Sequence, residues 1–143
     1  MILRGIDFGP VWGASGVEGF YGEGYPFHKL LGPFGLDFRG MTFVAKTTTF
    51  PPQKGNMPLR KDGITPRDWK PACIKVNFRK GAALNAVGLS GPGAKALLEN
   101  ERGRWFGRSE PWFLSWASVR KTAKERLAEL ELFVKEIGHT IRT

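Results

Sequence analysis

Cysteine occurs once, at Cys73, so no internal disulfide can close and nothing in the chain demands an oxidising compartment. Histidine is nearly as scarce, and His28 and His139 make no metal-ligating set with Cys73. Long apolar runs are missing too. No stretch approaches the roughly 18 residues that span a bilayer. The opening Met1-Ile2-Leu3-Arg4-Gly5-Ile6-Asp7 lacks the sustained apolar core of a signal peptide. A soluble, cytoplasmic protein with no membrane partner is therefore expected. Acidic residues are outnumbered, 13 against 22 Lys and Arg, which leaves a net charge of +9 and a pI near 10.1. That balance favours anionic partners (phosphates, carboxylates, nucleic acid or anionic lipid) without choosing among them.

The 143 residues fit one domain, long enough to bury a real core. Nineteen Gly and ten Pro argue for many loops of special backbone geometry. Aromatics at 13% argue against disorder. The basic excess is local. Lys54, Arg60, Lys61, Arg67, Lys70, Lys75, Arg79 and Lys80 crowd one segment against Asp62 and Asp68. Three readings of that segment stay open: a solvated surface, a face for anionic ligands, or a nucleic-acid contact. No nucleic-acid motif accompanies the charge, so no nucleic-acid partner is expected.

Strand-like and helix-like segments alternate. Phe8 to Trp12 reads as a short strand running into the small-residue loop Gly13-Ala14-Ser15-Gly16. Phe27 to Leu31 has helical spacing and is stopped by Gly32-Pro33. Met41 to Thr49 is rich in β-branched residues and reads as a strand ended by Pro51-Pro52. Phe50 to Lys80 reads as a long, proline-punctuated loop. Pro92 suits the first turn of a helix that reaches about Asn100, capped by Ser90 or Gly91. Pro111 to Ser118 reads as a buried strand. Thr122-Ala123-Lys124-Glu125 is a capping box. The helix after it carries Leu127, Leu130, Val134 and Ile137 on one face, with Gly138 at the C-terminal cap position. Alternation of this kind predicts an α/β fold with a parallel sheet under helices. Ala14-Ser15-Gly16, Lys46-Thr47 and Ser115 then fall past the C-terminal ends of strands, where such folds build their sites.

Lys46 lies in an apolar and hydroxyl-rich strand. It either aims a cation at an anionic ligand or reduced cofactor, or sits on the solvent side of an edge strand. Asn85 is the lone amide in Ala82 to Leu89, bonded either to backbone or to a ligand edge. Gly16 and Gly88 permit close backbone approach. Gly19, Gly22 and Gly24 miss the dinucleotide-binding spacing. Trp112, Phe113 and Trp116 read as core packing.

In their order, several motifs resemble those of dihydroorotate dehydrogenases. Pro10-Val11-Trp12-Gly13-Ala14-Ser15-Gly16 resembles the family's first strand and flavin-contacting loop. Phe43-Val44-Ala45-Lys46-Thr47-Thr48-Thr49 resembles its second strand with its lysine. Lys54-Gly55-Asn56-Met57-Pro58-Leu59-Arg60 resembles the Gly-Asn-x-Pro-x-Arg segment. Leu84-Asn85-Ala86-Val87-Gly88-Leu89 resembles the Ile-Asn-x-x-Gly-Leu substrate loop. Phe113 to Ser115 and Lys121 to Val134 resemble the third strand and helix.

The resemblance implies a (β/α)8 TIM barrel holding FMN at its C-terminal mouth and oxidising dihydroorotate to orotate. Ala14, Ser15, Gly16, Lys46 and Thr47 would contact the cofactor. Lys46, Asn85, Val87, Gly88 and Leu89 would contact the substrate, with Lys46 near the flavin's pyrimidine end. A complete barrel takes about 200 to 250 residues or more, so the chain is expected to supply about the first three βα units. The family's Asn-x-Ser-Cys-Pro-Asn segment, which carries the base, has no counterpart up to Thr143. Position 91 is Gly where relatives often have Asn, and Lys61 to Gly81 is longer than in compact members. The expectation is an N-terminal fragment, inactive alone, needing a C-terminal half or a homo-oligomeric partner. The alternative is a non-catalytic half-barrel binding phosphate or nucleotide through its basic loop.

Overall fold

The β-branched run around Val44 forms the central strand of a three-stranded parallel arrangement. The structure is a computed structural model that describes residues 1–100, 105 and 107–142, with the side chains of Phe78, Asn100 and residues 139–142 outside the description. An antiparallel ribbon of β1 (Ile2–Leu3) and β2 (Ile6–Asp7) opens the chain, turning through Arg4 and Gly5 at φ 51° and 80°. Trp12 then pairs in parallel with Thr42. β3 (Phe43–Val44) pairs in parallel with β6 (Trp112–Phe113), and Thr48 continues that pairing to Trp116. Segment 42–48 thus lies between segments near residues 12 and 112–116. The described residues form no closed barrel.

Between those strands, α1 (Pro26–Leu31) starts on a proline and passes into a 3-10 turn over Gly32–Phe34; none of its residues is buried. α2 (Ala94–Asn100) starts after Gly93 at φ 86°, so Pro92 lies before its first turn and neither Ser90 nor Gly91 caps it, contrary to the sequence reading. α3 (Ala123–Arg142) begins at the expected capping box: the Glu125 N–H donates to Thr122 Oγ1 at 3.2 Å, and the Thr122 N–H donates to Glu125 Oε2 at 3.0 Å. α2 packs on α3. The core beside them is Phe20, Tyr21, Leu97, Leu98 and Trp105. Its two polar ring atoms are satisfied: Tyr21 Oη donates to the Leu97 carbonyl at 2.8 Å, and Trp105 Nε1 donates to the Phe20 carbonyl at 2.6 Å.

Three further sequence expectations need correction. Part of the long loop is a hairpin: β4 (Ile74–Asn77) pairs antiparallel with β5 (Ala82–Asn85), in the register Ile74↔Asn85 and Lys75↔Leu84. Gly138 caps nothing, since it has no positive φ and α3 runs on to Arg142. The buried face of α3 is also rotated. Leu127 and Val134 are 59% and 60% exposed, while Glu129 and Phe133 are buried. Phe133 packs on the Trp116 ring at 5.8 Å, and Glu129 accepts from Ser118 Oγ at 2.5 Å and Arg120 Nε at 2.9 Å. A buried carboxylate held by two donors sets the helix rotation that apolar spacing alone assigns to its neighbours.

Candidate ligand cavity

Two of the three parallel segments, those near Trp12 and at 42–48, end at a cavity of about 840 Å³, within the range of small-molecule sites. All of Ala14, Ser15, Gly16, Lys46, Thr47, Asn85, Val87, Gly88 and Leu89 line it. The chain therefore brings together every residue that sequence reasoning singled out for ligand contact, from three separate segments.

The first wall is the Ala14–Gly16 loop. Gly16 has φ +82°, and a Cβ there would lie 3.0 Å from Lys46 Cγ, so a larger residue would meet both backbone strain and the lysine stem. Its amide donates to the Val44 carbonyl at 3.3 Å, and its carbonyl accepts from Tyr25 Oη at 2.9 Å. Burial, with Glu23 nearby, pushes the Tyr25 phenol up to about 12, so it remains a donor at neutral pH.

A ladder of hydroxyls crosses the strand ends. Ser15 Oγ donates to the Ala45 carbonyl at 3.0 Å, shares a 2.7 Å hydrogen bond with Thr47 Oγ1, and Thr47 shares one of 2.9 Å with Ser115 Oγ. This ladder holds the three segments in register at the cavity's edge.

Lys46 is 9% exposed, which removes the solvent-side reading of its position. Its ammonium donates to the Ser90 carbonyl and sits 4.4 Å from the centre of the Phe20 ring. Burial pushes it down to about 8, opposed by the Glu23 carboxylate. Glu23 itself accepts the amides of Phe20 at 3.0 Å and Tyr21 at 2.7 Å.

The third wall is the hairpin and the loop that leaves it. Antiparallel pairing puts Ile74 opposite Asn85 and Val76 opposite Ala83 on one face. Ile74, Ala83 and Asn85 from that face line the cavity. Lys75 and Leu84 share the other face, and Leu84 is 75% exposed. Beyond Asn85, Gly88 and Leu89 both take positive φ, 70° and 60°.

Sequence reasoning did not name Tyr25, Pro26 and Phe27 at the start of α1, or Trp69; Arg60 and Arg67, from the basic segment whose three readings stayed open, also line the cavity. The Tyr25-Pro26 step before an apolar turn marks a helix entry, but its turn toward the cavity is tertiary. Among the described residues no group of His, Cys, Asp and Glu could hold a metal ion. No helix among them is long and apolar enough to cross a membrane. No protein-family model, no curated protein and no solved structure matches the chain.

Proposed function

We propose that the chain is the N-terminal part of an FMN-dependent, dihydroorotate dehydrogenase-like oxidoreductase that acts in pyrimidine biosynthesis. It would supply the first three βα units of a (β/α)8 barrel and would not turn over substrate alone. One observation supports the reading: the nine residues chosen from its motifs line one cavity, five of them at the ends of the parallel segments near Trp12 and 42–48 and four from the hairpin strand β5 and the loop after it. A cytoplasmic location, and completion by a C-terminal half or by a second copy, belong to the same proposal.

The residues present fit the ring end of FMN. Nothing larger than a hydroxymethyl group projects from Ala14, Ser15 and Gly16, which leaves a flat wall for a planar ring. When bound, FMN supplies the two-electron acceptor for dihydroorotate oxidation. Lys46 holds a positive charge, buried by that wall, where it favours an anionic ligand. Asn85 offers an amide to the edge of the substrate ring, and the Val87–Leu89 backbone offers groups to its carboxylate. Arg60 and Arg67 add cations to the lining. No base for the substrate is assigned to this chain.

Titration of FMN, then orotate, into the isotope-labelled chain tests the reading even at weak affinity. Amide signals of residues 14–16, 46–47 and 85–89 are expected to move together, with no dihydroorotate oxidation. Unmoved signals at millimolar ligand would sink the proposal. The exposed cations Lys75, Arg79 and Lys80 on the hairpin, with Arg60 and Arg67 in the cavity, favour a second reading as a phosphate- or nucleotide-binding half-barrel without flavin. In that case inorganic phosphate and a short oligonucleotide shift the signals of the basic segment, with steep salt dependence for the oligonucleotide.

A further inference from the structure

Ser90 follows directly on the ligand loop Asn85–Leu89, is fully buried, and has no ligand role in the reading above. Its polar groups join three parts of the cavity wall. The Ser90 carbonyl accepts the Lys46 ammonium. Its hydroxyl donates to the Val87 carbonyl at 3.1 Å and accepts the Met57 N–H at 3.1 Å. The space beside that hydroxyl is closed: a Cβ on Gly55 would lie 2.2 Å from Ser90 Oγ and 2.6 Å from the Val87 carbonyl oxygen.

We propose that Ser90 is a positioning residue, which ties the Lys46 ammonium to the ligand loop and turns that loop's amides toward the cavity. The naming of the ligand as orotate rests on the function proposed above. The geometry follows from planar peptides. The Val87 carbonyl is held by Ser90 Oγ and by the Asn56 N–H at 2.8 Å, and the Ala86 carbonyl is held by Asn56 Nδ2 at 2.8 Å. No peptide bond here is cis, so each N–H points opposite its carbonyl. Pinning the Ala86 and Val87 carbonyls to the Asn56–Ser90 side turns the Val87 and Gly88 N–H groups to the other side. Both residues line the cavity. Leu89, left-handed without being glycine, persists in that conformation because the bonds on both sides of it over-determine the loop.

Ser90 acts on the ligand only through its neighbours, so the test needs a readout that general destabilisation would not reproduce. Hydrogen exchange is measured on the full chain, on Ser90→Ala, and on Ser90→Cys, which keeps the volume if the alanine variant does not fold. The amides of Asn56 and Met57, which donate to the Val87 carbonyl and to Ser90 Oγ, are expected to exchange about tenfold faster or more in both variants, with Ala45 and Leu97 unchanged. Orotate affinity, read in the presence of FMN, is expected to fall about tenfold while FMN affinity falls less than about twofold. Exchange that rises evenly over the chain, or does not rise at Asn56 and Met57, overturns the proposal, as does equal loss of both ligands. If the unaltered chain takes up neither ligand, the orotate reading fails on its own, and the exchange data still decide the role of Ser90.

Discussion

The floor of the cavity and its outer wall are built on opposite terms. In the floor, Ala45, Lys46, Thr48 and Thr49 are buried, and the strand carrying them has partners on both sides. In the outer wall, nearly every hairpin residue is exposed, and among the described residues β4 and β5 pair only with each other. A strand buried on both flanks has its geometry decided by many contacts. A lone two-stranded ribbon is marginal by itself and opens at low energetic cost. The floor therefore fixes where Lys46 sits, while the wall is free to adapt to whatever enters.

Mutations should separate the two regions. The largest effect is expected at Trp105, which lies in the core beside the floor, 5.1 Å from the Tyr21 ring. Trp105→Ala should cost about 3–5 kcal/mol in denaturant unfolding. A cost below about 1 kcal/mol would show that the core does not carry the fold.

Lys46 gives the next effect, through pH. Below about pH 8 the lysine is charged in both the folded and unfolded chains, and the burial penalty is fully present. Between about 8 and 10.5 the unfolded chain keeps a proton that the folded chain has released, so stability rises with pH, by about 3 kcal/mol at most. Lys46→Met should flatten that rise. A flat profile in the unaltered protein would mean that Ser90 and Phe20 compensate the burial in full.

Thr122→Ala removes the cap of α3 and should cost about 1 kcal/mol, read from the shift in thermal midpoint. The smallest effect belongs to the wall. Leu84→Ala should stay within about 0.5 kcal/mol. A loss as large as that at Thr122 would make the hairpin part of the cooperative unit after all.

What could be read in the sequence divides along the same line. The β-branched run at 42–49 and the Thr122 capping box carry their structure in local chemistry, and both stand where expected. The residues picked out by motif order, Ala14 to Gly16, Lys46, Thr47, Asn85 and Val87 to Leu89, line one cavity. The hairpin carries a local signal, the apolar–polar alternation Ile74-Lys75-Val76-Asn77, but it lies inside a basic, proline-punctuated segment whose composition reads as loop. The face of α3 was misread because Leu127 and Val134 satisfy the helical period, whereas Glu129 reads as solvent-facing until Ser118 and Arg120 are seen to hold it. Arg60, Arg67 and Trp69 reach the cavity by a loop path that no local signal encodes.

The central strand has a consequence for how the chain assembles. Its hydroxyl contacts reach Ser15, 32 residues earlier, and Ser115, 68 residues later. Neither partnership can form until a long loop has closed, and closure entropy must be met before the pairing returns anything. Parallel pairing over such separations gives a high contact order, which places folding in the milliseconds-to-seconds range rather than microseconds. Until the segment at 112–116 docks, the apolar flank of β3 lies open to solvent. Its slowest-arriving neighbour therefore sets how long the nascent chain stays vulnerable to association with its own copies.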